Sequence, residues 1–188
     1  MNLSSSAQKK IERILVAGIG NIFMGDDGFG VEVAQRLLSR KLGRYPAGVE
    51  IFDFGIRGFD LAYTLLEEYD ILVLVDAIAR GGAPGTVYLI EPDLSAISSE
   101  NAVEAARVGM DAHSMDPMKV LAFARTLGAR PIRTFLVGCE PSVIRRNDNY
   151  LDMQMGLSGP VQAAVDEAIK VLDSLVEQLL SDKANSHP

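Results

Sequence analysis

The sequence predicts one three-layer α/β/α domain around a mostly parallel sheet, and three observations carry that reading. Short apolar runs alternate along the chain with amphipathic helical patterns. Glycine and proline punctuate the junctions between them. The 188 residues are 48% apolar and 23% charged, a balance that buries one continuous core and argues against a second domain or a disordered chain.

The run Ile14-Leu15-Val16-Ala17, closing in Gly18-Ile19-Gly20, is apolar at consecutive positions and so reads as a strand buried on both faces and stopped by a glycine turn. Val31, Ala34, Leu37 and Leu38 then share a helical face, and Gly43 with Pro46 ends that helix. Residues 49–54 make a second strand. Gly55 and Gly58 follow it, and Leu61, Ala62, Leu65 and Leu66 form the inner stripe of a second helix. Residues 71–75 are the most apolar stretch and the third strand. Gly81, Gly82, Pro84 and Gly85 mark a loop, after which residues 86–90 read as a strand able to return as a hairpin partner. Residues 94–110 carry no decisive pattern. Asp116 before Pro117 is a helix start, because proline at the first helical position loses no backbone hydrogen bond. Val120, Leu121, Ala124 and Leu127 face inward from that helix, which ends at Gly128. Residues 132–137 are a fifth strand, and residues 161–180 a long helix with Val161, Ala164, Val165, Ala168, Leu172, Leu175 and Leu179 at core spacing. Residues 181–188 read as a frayed tail. The domain thus runs over 1–188, with its core at about 12–180.

Charge and cysteine content exclude several classes. Eighteen Lys plus Arg against 25 Asp plus Glu leave a net charge of −7, contrary to the basic patch that nucleic acid or an anionic membrane requires. The single Cys139 forms no internal disulfide and no multi-cysteine zinc site, which fits a reducing cytoplasm. The polar first ten residues and the shortness of the apolar runs indicate neither export nor membrane insertion.

Ligands of such sheets sit beyond the carboxyl ends of the strands, so polar residues just after strands carry most of the functional information. Three stand out: Asp27 after the first strand, Asp76 at the end of the third, and His113 ahead of the Asp116 helix. Two carboxylates and an imidazole can make one site. Each also has a plainer reading. Asp76, following Ile71-Leu72-Val73-Leu74-Val75, needs a partner at the rim of the core and finds one if the amides of residues 77–81 turn toward it. Asp26 and Asp27 stand where acids cap a helix, although one cap needs only one of them; Asp26 is expected to cap or brace the loop while Asp27 faces the crevice. His113, the only histidine inside the fold, can be a loop hydrogen-bonder as readily as a proton carrier or ligand.

The chain lacks H-E-x-x-H, G-x-S-x-G and a Gly-Lys-Ser/Thr phosphate loop. A dinucleotide site is the nearest rival, with Gly18-Ile19-Gly20 after a strand and Asp53 near the end of the second. Phe23 occupies the place of the third glycine, however, and the tandem acids would repel a phosphate.

The loop Gly18-Ile19-Gly20-Asn21-Ile22-Phe23-Met24-Gly25-Asp26-Asp27-Gly28-Phe29-Gly30-Val31 resembles the opening signature of the nickel-iron hydrogenase maturation endopeptidases. Asp76-Ala77-Ile78, Pro84-Gly85-Thr86, His113-Ser114-Met115, Gly138-Cys139-Glu140-Pro141 and Gly156-Leu157-Ser158-Gly159-Pro160-Val161 follow as further landmarks in the family's order. The likeness covers roughly residues 14–180. It implies a five-stranded α/β/α sandwich with one antiparallel strand, here 86–90. It also implies removal of a short C-terminal extension from the hydrogenase large-subunit precursor once nickel is in place.

By matching motifs, the family's metal-contacting acid falls on Asp27, where relatives carry Glu or Asp; the second acid falls on Asp76 and the histidine on His113. The resemblance therefore implies that nickel, carried by the precursor, docks against Asp27, Asp76 and His113, which are also the catalytic candidates. Whether an Asp acts as general base or the metal polarises carbonyl or water stays open. Asp53 is a supporting or substrate-contacting candidate. A cytoplasmic monomer is expected. The chain departs from the pattern in a longer stretch at 94–110 and in Gly159, which interrupts the usual Leu-Ser-Pro helix start. A non-enzymatic metal-binding accessory module on the same fold is the alternative, since fold does not fix function.

Overall fold

Six consecutive residues with no accessible apolar surface open the fold. In a computed structural model, which describes residues 13–39, 45–94, 116–142 and 154–182, strand β1 (Ile14–Ile19) is buried along its whole length. A one-turn 3-10 helix (Gly25–Gly28) then leads into α1 (Phe29–Ser39). β2 (Val49–Gly55), α2 (Gly58–Thr64), β3 (Ile71–Ala77) and β4 (Val87–Ile90) follow, and then α3 (Pro117–Thr126), β5 (Arg133–Cys139) and α4 (Gly159–Asp182).

The sheet runs in the order β2-β1-β3-β5-β4. β1, β2, β3 and β5 are parallel and β4 lies antiparallel on β5, with Val87 opposite Cys139 and Ile90 opposite Leu136. The five-stranded sandwich with a single antiparallel strand is thus observed. One expectation is corrected: β4 is no hairpin partner of β3, because β5 inserts between them. Parallel β5 pairs with β3 from Ile71↔Arg133 to Ala77↔Cys139 and so occupies the edge that a hairpin would need.

Alternation along each strand sends side chains to two cores. Ile14 and Val16 of β1, Ile71, Val73 and Val75 of β3, and Phe135 and Val137 of β5 pack against α1 and α4. Leu15, Ala17 and Ile19 of β1 with Leu72 and Leu74 of β3 pack against α2 and α3. Seven expected core positions of α4, from Val161 to Leu179, are all buried. Each full burial of a Val or Leu side chain contributes about 1.5–3 kcal/mol before the chain entropy it opposes.

Leu38, Leu66 and Leu127, expected on inner helical faces, are 55%, 43% and 39% exposed. Leu38 sits one residue, or about 100°, round from buried Leu37, and Leu66 and Leu127 lie past the last residues of α2 and α3, where the chain turns off the core. At the start of α3 the Asp116 carboxylate accepts the Met118 N–H at 3.0 Å with Pro117 in the first turn, as expected. Residues 95–110, most of the unpatterned stretch, and 183–188 of the tail expected at 181–188 lie outside the described residues, whereas residues 181 and 182 continue α4 instead of fraying.

Candidate active site

β1 connects outward to β2 on one side and has β3 on the other, so the winding direction changes between β1 and β3. Two acids reach that crevice from its two walls. Asp27 belongs to the 3-10 turn leaving β1, and Asp76 is the penultimate residue of β3.

Glycines let the walls close in. Gly20 has φ +126°, and a Cβ there would lie 1.8 Å from the Asp27 carbonyl oxygen and 3.8 Å from a carboxylate oxygen of Asp76. The backbone of Asp27 therefore rests on the Cα of Gly20, with the Asp76 carboxylate just beyond. At Gly30 a Cβ would meet the carbonyls of Val75 and Ile19 at 2.0 and 2.4 Å, so the start of α1 sits directly over the ends of β1 and β3. These glycines bring a helix and two acids together rather than cradling a pyrophosphate.

The two carboxylates differ in environment. Asp27 Oδ2 accepts the Asn21 N–H at 2.8 Å. Asp76 Oδ1 accepts the N–H of its own neighbour Ala77 at 2.8 Å. Burial first, and the negative charge of Asp27 second, raise the pKa of Asp76 well above the usual aspartate range, against the opposing bond from Ala77. Such a pair can hold and pass a proton, or it can share a divalent cation whose charge removes the repulsion.

Beyond Ala77, the Ile78, Arg80 and Gly81 amides of the turn after Asp76 go elsewhere, Ile78 to the Cys139 carbonyl and the other two to Glu140. Glu140, 5% exposed, accepts the N–H groups of Arg80 at 2.8 Å and Gly81 at 3.1 Å and the Tyr88 hydroxyl at 2.9 Å. Burial alone would raise its pKa, but these donors and the Gly82 N–H hold the Glu140 carboxyl below its usual range. Sequence reasoning places Glu140 only within a motif, yet it closes an apolar strand as Asp76 does, and that signal identifies it.

Asp26 braces rather than caps. It is 2% exposed, and its carboxylate accepts bonds from Ser142 and Ser158, far along the chain. Asp53 accepts the Gln35 side-chain amide at 2.9 Å, and its carbonyl accepts the Arg57 guanidinium. With Gly20, Asn21, Ile22, Phe23 and Ile56 it lines a groove of about 290 Å³ adjoining the carboxylate pair. A larger cavity of about 370 Å³ lies at the opposite end of the sheet, near Leu94, Arg130 and Ile132, away from both acids. His113 lies outside the described residues, so the structure brings together two of the three expected site residues. Among the described residues no cluster of three metal-binding side chains occurs, and no helix is long and apolar enough to cross a membrane.

Fold and site together define an α/β protein with two carboxylates brought together at the switch point of its sheet, a pair of a kind that can transfer protons or contact a divalent cation. The particular family follows from its relatives. Residues 31–174 match the HycI family model, described as hydrogenase maturation protease. The chain is 32% identical over 164 residues to the hydrogenase expression/formation protein HupD of Rhodobacter capsulatus, covering 87% of this chain and 72% of that one. It is 30% identical to the hydrogenase 2 maturation protease of Escherichia coli K12, covering 88% and 92%. The solved hydrogenase maturating endopeptidase HybD from E. coli superimposes with a TM-score of 0.64 at 27% identity, covering 88% of this chain and 93% of that one. The chain belongs to the hydrogenase maturation protease family and is a hydrolase of the peptidase class. Membership favours the peptidase reading over the accessory module and the dinucleotide site.

Proposed function

We propose that this protease removes the C-terminal extension of a nickel-iron hydrogenase large-subunit precursor after nickel insertion, and that Asp27, Asp76 and His113 receive the nickel the precursor carries. The meeting of Asp27 and Asp76 at the switch point, with the Asp27 backbone resting on the Cα of Gly20 and an Asp76 carboxylate oxygen just beyond, is the observation that supports this reading most directly. Two acids that repel each other form a poor resting pair and a good receptor for a divalent cation. A loaded precursor supplies that cation, whereas an empty one leaves the repulsion in place, so metal loading becomes a condition for productive docking. Carboxylate oxygens and an imidazole nitrogen suit a borderline ion while leaving positions for ligands from the precursor itself.

Hydrolysis adds water across the scissile peptide bond, its oxygen to the carbonyl carbon and a proton to the departing nitrogen. In this reading a carboxylate of the pair takes a proton from the attacking water and returns it to the leaving amine. The groove beside them, with exposed Ile22, Phe23 and Ile56 on its wall, offers apolar surface to the precursor chain. We place the protein in the cytoplasm as a monomer, with the precursor as its partner.

Intact-mass spectrometry of a large-subunit precursor, nickel-loaded and metal-free, after incubation with the protease tests this. A short C-terminal loss from the loaded form alone is expected. Loss from both forms removes the nickel gate, and binding of the loaded form without any loss returns the accessory-module reading.

A further inference from the structure

Asp26 precedes Asp27 in the chain, and its carboxylate accepts three hydrogen bonds, none of them from its own turn. Oδ2 accepts the Ser142 N–H at 2.8 Å and the Ser158 hydroxyl at 2.9 Å, and Oδ1 accepts the Ser158 N–H at 2.6 Å. Both donors adjoin elements anchored in the core. Ser142 leaves β5 three residues after fully buried Cys139. Ser158 precedes α4, its carbonyl accepting the Gln162 N–H at 2.8 Å, and Val161 just beyond is fully buried. A second tie joins the same turn to the approach of α4: Gly25 N–H donates to the Gln154 carbonyl at 2.7 Å, and Gln154 N–H to the Phe23 carbonyl at 3.1 Å.

We propose that Asp26 is a positioning residue, which locks the Gly25–Gly28 turn to the exit of β5 and the start of α4 and thereby sets the separation of Asp27 from Asp76. This inference rests on the reading that those two acids act on the precursor. A residue that only stabilised the fold could be any well-packed group. Here the chemistry is specific, because three donors converge and only an ionised carboxylate accepts all of them without presenting a donor of its own. An asparagine in its place aims an N–H₂ group at one of those donors. Adjacent along the backbone, Asp27 must follow any shift that results. Misplacement of a reacting group by about 1 Å costs on the order of a hundredfold in rate.

The experiment compares steady-state cleavage of nickel-loaded large-subunit precursor by the wild type, Asp26→Asn and Ser158→Ala, well below each variant's melting temperature. Asp26→Asn is expected to lower kcat by roughly a hundredfold while KM stays within about twofold. Ser158→Ala removes one donor of three and keeps the two backbone N–H groups, so kcat falls by only about three- to tenfold. The double variant falls little further than Asp26→Asn alone, as expected for groups in one network. A purely structural role lowers the melting temperature and leaves kcat of the folded enzyme at the wild-type value, which overturns the proposal. If Asp26→Asn does not fold, Ser158→Ala decides by the same criterion. The ¹³C resonance of the Asp27 carboxyl group gives a readout independent of cleavage: displacement in Asp26→Asn supports positioning and an unmoved resonance overturns it. Absence of cleavage by the wild type therefore counts against the processing function, while the resonance still judges Asp26.

Discussion

The negative charge of Asp27 raises the proton affinity of Asp76 across the crevice between β1 and β3, reinforcing the larger effect of burial on the same carboxyl group. Asp76 thus binds its proton more tightly in the folded chain than in the unfolded one, and stability falls as pH rises from the ordinary aspartate range through the raised value. Asp76→Asn keeps the shape and cannot ionise. Its melting temperature at pH 8 should exceed that of the wild type by at least ~2 °C, about 1 kcal/mol for a domain of this size, with the advantage fading toward pH 4. A variant less stable than the wild type at pH 8 contradicts the repulsive pair.

Gly20→Ala tests the close approach that brings the acids together. The added Cβ meets the Asp27 carbonyl at 1.8 Å in a backbone conformation of φ +126°, where any side chain is strained. A loss of about 3 kcal/mol or more in chemical denaturation is expected, with cleavage down by over a hundredfold in the folded fraction. Near-normal stability and activity together would show that the Asp27 turn tolerates displacement.

Glu140 governs the loop that follows Asp76. Glu140→Ala leaves the Arg80 and Gly81 amides without their acceptor, whereas Tyr88→Phe removes only one hydroxyl donor. Thermal melts should therefore rank Glu140→Ala well below Tyr88→Phe. The Glu140 pKa is lowered in the folded chain, so its contribution is present above the ordinary glutamate range and is lost as pH falls through the lowered value. The gap between wild type and Glu140→Ala should accordingly narrow in acid. Equal melting temperatures for the two variants would assign the loop another anchor.

Strands and long helices were legible in the sequence because their burial is written locally. Ile14 to Ile19 is apolar at nearly every position and lies between two layers, and α4 keeps its core residues at helical spacing throughout. What depends on distant pairing was not legible. The place of β4 beside β5 rather than β3 is a matter of register between remote segments. Asp26 meets its partners 116 and 132 residues away, so sequence could name the brace but not what it holds. Asp27 and Asp76 stood out because acids beside strand ends are costly without a purpose. Glu140 obeys the same rule and turns out to serve a loop, which shows that the rule finds buried acids without sorting their roles.

Processing of a nickel-loaded large-subunit precursor by the wild type, Asp27→Asn, Asp76→Asn and His113→Ala, with precursor capture measured alongside, tests the central claim most directly. Each substitution should slow the C-terminal loss by about a thousandfold or more while the variant remains folded and still captures precursor. Cleavage by Asp27→Asn or Asp76→Asn at the wild-type rate would place the working centre elsewhere in the molecule.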